Sequence, residues 1–247
     1  MVANTGFAAG VLGSMIGLGG GIVVVPVLTF FGFSPQLAAS NSLFAAFSNA
    51  IASTASYARQ KRIEYSLGLK LGLLSIPGTI LGALISADIT SSMFKLLFGT
   101  VLVASSVYIF SKRKMEPTAY NLSKRIMVLA VAASFFAGII SSLFGIGGGI
   151  VFVPLMAIVI GLSMKLAAPT SQFILIFASA SGMIVHAILG HADFYQALLL
   201  AGGAFVGGFV GSRLSLEVEE TKLKIIVSIV IVAAAIKLFI DSLEGPF

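Results

Sequence analysis

The chain is 247 residues long, 58% hydrophobic and only 10% charged, with a mean hydropathy of +1.09. That composition excludes an ordinary soluble domain and leaves an integral membrane protein. The absence of cysteine excludes a disulfide framework and thiolate chemistry, and the net charge of +6 sets topology around membrane spans rather than signalling nucleic acid.

In chain order, uncharged windows at 3–31, 36–58, 71–87, 96–111, 126–160, 166–190, 194–212 and 225–236 reach or approach the roughly 20 apolar residues that a helix needs to cross a bilayer. The first window lacks a basic n-region and is rebuilt after residue 137, so it reads as part of the mature structure. Inside it, Gly17-Leu18-Gly19-Gly20-Gly21-Ile22-Val23-Val24-Val25-Pro26 interrupts the helix, because each glycine costs about 1 kcal/mol against alanine in a helix interior. The pieces at 4–16 and 22–31 then reach only ~15–20 Å each into a ~30 Å core. Ser40-Asn41-Ser42 opens the next helix, which also carries Ser48, Asn49, Ser53 and Thr54 and runs into the basic turn of Arg59, Lys61 and Arg62.

After a polar linker, Ser111 to Arg125, which holds a third of the basic residues, the first half is written again. Gly145-Ile146-Gly147-Gly148-Gly149-Ile150-Val151-Phe152-Val153-Pro154 repeats the glycine element 128 residues on. At a spacing of 129, Ala38-Ala39 meets Ala167-Ala168, Ser42 meets Ser171, Phe44 meets Phe173, Glu64 meets Asp193, Tyr65 meets Phe194, Gly78 meets Gly207, Gly82 meets Gly211, Asp88 meets Glu217 and Lys95 meets Lys224. The expected fold is all-α: two homologous membrane repeats, 1–111 and 126–247, joined by a cytoplasmic linker at 112–125. Each repeat holds a broken or re-entrant helix followed by three transmembrane helices.

Whether the broken helix crosses the membrane or doubles back decides the symmetry. A crossing makes the repeats parallel and leaves Lys95, Lys165, Arg213, Lys222 and Lys224 outside; a hairpin makes them inverted and leaves only Lys95 and Lys237 there. The cytoplasmic preference of Lys and Arg favours inversion. Inverted repeats with discontinuous helices place substrate near the bilayer midplane.

A helix that restarts after the glycines has unpaired N–H groups and a positive dipole end at membrane depth, which attracts an anion. Glycine admits a ligand to the main chain and permits positive φ. Pro26 and Pro154 are expected one turn or so into each restart, near the position where a missing N–H costs least. The candidate substrate-binding residues are therefore Gly19, Gly20 and Gly21 with Gly147, Gly148 and Gly149, together with Ser40, Asn41 and Ser42 and, after Pro169, Thr170, Ser171 and Gln172. Hydroxyls and amides suit a small oxyanion, or a dehydrated cation, because they offer hydrogen bonds without a fixed neutralising charge. The competing structural readings are close helix packing at the glycines and helix N-capping by the polar triads.

The duplicated G-x-G-G-G-x-x-x-V-P element, the polar segment after it and the apolar length together resemble the sulfite exporter TauE/SafE family over essentially the whole chain. The family's A-T-S-like stretch is closer to Pro169-Thr170-Ser171 than to Ala39-Ser40-Asn41-Ser42. The resemblance implies a multi-pass inner-membrane permease for small anions, notably sulfite, sulfoacetate and related organosulfur compounds. It implies a small anion and the lipid bilayer as partners, leaves self-association open, and calls for no enzyme activity, cofactor or metal.

No Asp or Glu falls mid-span, so a carboxylate proton relay is not expected; His186 is the one group of suitable ordinary pKa deep in a span. Anion export can follow the inside-negative potential, at ~2.3 kcal/mol per charge per 100 mV. An anion channel of the same fold is the nearer alternative. An intramembrane serine hydrolase built on Ser181 and His186 is the remote one, since residues five apart on a helix diverge by about 140°. Lys70 and Arg213 are expected to snorkel to the interface.

Overall fold

The computed structural model describes residues 2–111 and 123–217 and scattered positions between 229 and 240. Most of the 112–125 linker and the 225–236 window, with Lys222, Lys224 and Lys237, lie outside the described residues. Those described are helical, with no strand among them. The helices are α1 Val2–Ile16, α2 Gly21–Phe30, α3 Pro35–Arg59, α4 Tyr65–Asp88, α5 Ser91–Ser111, α6 Lys124–Phe144, α7 Gly149–Pro154, α8 Met164–Ile188 and α9 Phe194–Leu214. A π-helical stretch, Leu155–Ile160, continues α7.

By length and composition α4, α6, α8 and α9 can cross a membrane. Their outer faces carry exposed Leu73, Leu81, Leu84, Leu129, Phe136, Ile184, Leu198 and Val206, as a surface solvated by lipid requires. α3, as long as α8, is too polar to be recognised in that way, because Ser40, Asn41, Ser42, Asn49, Ser53 and Ser56 stud it. All six are buried within the protein, and α3 packs against α8 on one side and α9 on the other.

Small residues fix how the helices run. Gly6 abuts Leu200 and Gly10 abuts Ala204, so α1 and α9 are parallel. Gly78 abuts Phe135 and Gly82 abuts Ile139, so α4 and α6 are parallel. Backbones approach this closely only where neither side carries bulk. The Asp193 N–H donates to Asn41 Oδ1 (3.1 Å) at one end of α3 and α9, and the Tyr57 hydroxyl meets Ser215 Oγ (3.4 Å) at the other, so these two are parallel as well. By contrast, Ser53 Oγ lies 3.2 Å from Gln172 Oε1 while Gly182 faces Leu43, which makes α3 and α8 antiparallel. Since α1 and α3 both run with α9, the chain between them returns to the side on which it started.

One local expectation is corrected and another sharpened. Ser34 caps α3, accepting from the Leu37 N–H (3.4 Å), and Ser163 precedes α8; the triads at 40–42 and 170–172 therefore lie inside helices and do not cap them. Pro26 and Pro154 are each the sixth residue of their half-helix, a little over one turn in as expected but past the first-turn position where a missing N–H costs least. Their missing N–H leaves a carbonyl one turn back without its donor. α2 continues as an α-helix past Pro26, whereas beyond Pro154 the ladder widens to π, a form frequent at functional sites.

Candidate functional site

The two glycine breaks are built alike. Gly17, Gly19 and Gly20 have φ of 85°, 81° and 82°, and Gly145, Gly147 and Gly148 have 70°, 84° and 89°, values that only glycine adopts at low cost. Leu18 and Ile146 within the breaks are buried. Gly21 and Gly149 begin the half-helices, and each leaves no room for a side chain: a Cβ on Gly21 would strike the Gly145 carbonyl and one on Gly149 the Gly17 carbonyl. The start of each half-helix thus sits against the break of the other half.

Contacts around the breaks occur in pairs displaced by 128 or 129 residues. Ser42 Oγ donates to the Gly145 carbonyl (2.8 Å), and Ser171 Oγ donates to the Gly17 carbonyl (2.7 Å). Asn41 Oδ1 accepts the Asp193 N–H (3.1 Å), while Thr170 Oγ1 accepts the Glu64 N–H (3.0 Å). Tyr65 stacks edge-on against Phe173, and Phe194 against Phe44.

Hydrogen-bond satisfaction divides the twelve candidates. Ser42, Thr170 and Ser171 are spent on these ties. Gln172 donates to the Gly13 carbonyl (2.8 Å) and meets Ser53, so it pins the last turn of α1. Among the described residues, Ser40 Oγ and Asn41 Nδ2 are buried with no partner, and so are Ser141 Oγ and Ser142 Oγ at the end of α6. An unpaired buried hydroxyl or amide costs about 1–3 kcal/mol; these four lie at the end of α6 and on the α3 turn whose Ala39 and Ser42 meet Gly145, and Asn49 and Thr54 further along α3 carry unpartnered atoms as well. Ser141 lies against Gly148 and Ser142 against Gly182. These two serines escaped the sequence reading, although Ser141-Ser142 directly precedes Leu143-Phe144-Gly145. The first N–H groups of each half-helix, which no intrahelical carbonyl can reach, add donors to hydroxyls that can both donate and accept.

Hydroxyls, an amide and backbone N–H groups at the meeting of two half-helix starts fit passage of a small molecule better than bond-making chemistry. Residues 2–238 match the sulfite exporter TauE/SafE family. The chain belongs to that family.

Relatives of this TauE/SafE chain include the probable membrane transporter protein YunE of Bacillus subtilis, 32% identical over 96% of each chain. The probable membrane transporter protein MJ0441 of Methanocaldococcus jannaschii is 29% identical over 90% of this chain and 88% of its own. YfcA of Escherichia coli, named in the same words, is 22% identical over 95% and 87%. No solved structure matches. As a TauE/SafE member the chain is a multi-pass membrane transporter with a small-molecule substrate, and not an enzyme. The side chains agree: Ser181 Oγ bonds to the Phe177 carbonyl and to Thr79, whereas His186 bonds to the Ser142 carbonyl and to His191, so the serine and histidine of the hydrolase alternative are not paired.

Proposed function

We propose that this TauE/SafE transporter carries small oxyanions, sulfite or organosulfonates such as sulfoacetate, through a site near the bilayer midplane formed where the two glycine breaks meet. The unpartnered Ser141 and Ser142 hydroxyls, with Ser40 and Asn41 on the α3 turn whose Ala39 and Ser42 meet Gly145, support this reading, since hydroxyls and amides can donate to an anion. Its charge is balanced by helix-start dipoles rather than by a buried cation, which leaves it weakly enough held to be released. Gly19–Gly21 and Gly147–Gly149 admit it to the backbone, while Ser42, Thr170, Ser171 and Gln172 hold the two breaks in register.

The reading includes two inverted repeats, 1–111 and 126–247, with residues 112–125 on the cytoplasmic face of the inner membrane. The paired contacts at spacings of 128 and 129 and the antiparallel crossing of α3 with α8 support it. Two equivalent helices that cross antiparallel have their symmetry axis perpendicular to them, hence in the membrane plane. The specific substrate rests on the family's name and on the donor set.

Flux measured in proteoliposomes across sulfite, sulfate, sulfoacetate and thiosulfate tests the function. Saturable uptake of one or more of these, accelerated by the same anion on the far side, is expected of a carrier. Non-saturating flux without counter-transport would indicate a channel, and no flux of any of the four would refute the proposed substrate class.

A further inference from the structure

The two halves perform one structural task with different chemistry. At the last turn of α1 the Ser14 carbonyl accepts from the Gly17 N–H (3.3 Å) and from the Tyr57 hydroxyl (2.7 Å). The Arg62 guanidinium lies over the Tyr57 ring at 5.3 Å. At the equivalent places in the second half, His186 presents Nε2 to the Ser142 carbonyl (3.0 Å), and its Nδ1 lies 3.1 Å from Nδ1 of His191. Where the first half has a phenol and a permanent cation, the second has two imidazoles, the side chains that titrate near neutrality.

Hydrogen-bond logic sets the proton count. A carbonyl only accepts, so His186 Nε2 carries a hydrogen. Two Nδ1 atoms 3.1 Å apart share a single hydrogen between them. The pair therefore exists neutral, with His191 Nε2 bare, or with one added proton at that nitrogen. Once the proton arrives, the bridging hydrogen can pass from His191 Nδ1 to His186 Nδ1, moving the positive charge inward without breaking either bond. A cation at His186 faces the C-terminal end of α6, where the helix dipole favours it.

Among the described residues, the nearest charged side chain in the chain is Asp193, two residues from His191. α6 offers the Ser142 carbonyl, α3 presents Leu43 near Gly182, and α4 meets α8 on another face, through Thr79 at Ser181. Asp193, nearest in the connection to α9, directs its carboxylate to the N–H groups of Tyr195 and Gln196 (3.1 and 3.2 Å). His191 is partly exposed in that connection, whereas His186 is fully buried. The connection lies at the opposite end of α8 from Lys165, whose carbonyl accepts from Arg62 Nε (3.0 Å). If the basic cluster of Arg59, Lys61, Arg62 and Lys165 is cytoplasmic, His191 faces outward.

We propose that His186 and His191 form a one-proton binding site, loaded from the outer side through His191, that couples proton movement to passage of the anion past the second glycine break. The link is short in the chain: Ser142, which His186 grips, stands three residues before Gly145 and carries one of the unpartnered hydroxyls beside that break. The proposal rests on the transporter reading above.

The test exchanges one half's chemistry for the other's. Sulfite flux and internal pH, the latter from a trapped dye, are followed together in proteoliposomes as external pH is lowered from about 7.5 to about 5.5, a range that spans the ordinary histidine pKa. Wild type should change its flux severalfold across the range and move protons with the anion. The double variant His186→Tyr with His191→Arg, which reproduces the Tyr57–Arg62 pair, should keep only the pH dependence and proton movement that follow from protonation of sulfite itself. A wild-type pH profile in that variant overturns the coupling. If neither protein moves sulfite, the transporter substrate is at fault, and the pair is judged by ¹⁵N imidazole titration of the purified protein. One shared titration of both rings, abolished in His191→Gln, supports the site, and two independent titrations overturn it.

Discussion

Ser40 and Ser42 sit two residues apart on α3 and are equally buried, yet only Ser42 has a partner, the Gly145 carbonyl at 2.8 Å. The difference separates structure from function one atom at a time. Ser42→Ala removes a satisfied bond and leaves a buried carbonyl short of a donor, so a loss of ~1–2 kcal/mol is expected, seen as a lower thermal unfolding midpoint in detergent. Ser40→Ala removes only an unsatisfied hydroxyl, and the midpoint should hold or rise. The sequence showed both serines as one polar cluster and could not tell them apart, because the acceptor of Ser42 lies 103 residues away. Burial lowers the pKa of His191 from its usual 6.5, so the histidine pair is neutral at pH 7 and gains its proton only as the pH falls below that value. The flux change in acid should therefore lie below pH 6.5.

The element that matters most is the helix–break–helix unit, and glycine tolerance reads it out. Gly17 has φ of 85°, and a Cβ there would lie 2.6 Å from the Ala168 Cα; strain and backbone collision act together, and Gly17→Ala should destabilise by more than ~2 kcal/mol. Gly190, at φ of 75° with open space around it, carries strain alone, so Gly190→Ala should cost only ~1–2 kcal/mol and leave transport intact. Thermal unfolding with parallel flux measurements distinguishes them. The breaks were legible from sequence because four glycines in an apolar run have no other economical use. The π-helical stretch after Pro154 was not, since Pro26 occupies the same place in α2 without producing one; long-range packing decides between the two. Nor could spacing reveal that the polar triads are interior to their helices, because Ser34 and Ser163, the residues before α3 and α8, look no different from Ser40 or Ser171 as caps.

At the scale of the whole molecule, the membrane class, the helical fold and the family were readable from composition and the duplicated motif, while the arrangement of helices needed the contacts across the halves. Chain direction carries its own prediction. The protein has no cysteine, so single cysteines at Lys61 and Gly190, both exposed or nearly so in connecting turns, report topology cleanly. An impermeant maleimide should label Lys61→Cys only from the cytoplasmic side and Gly190→Cys only from the outside; labelling of both from one side would refute the described course of α8. Function is tested most directly by the initial rate of sulfite flux into proteoliposomes containing Ser40→Ala, beside wild type and Ser134→Ala, a buried serine whose hydroxyl is already bonded to the Ala130 carbonyl (2.8 Å). A hydrogen bond to a charged partner is worth about 1.5–3 kcal/mol, so the flux of Ser40→Ala should fall about tenfold or more with an unchanged unfolding midpoint, while Ser134→Ala transports normally. Wild-type flux in stable Ser40→Ala would contradict an anion site at the meeting of the two breaks.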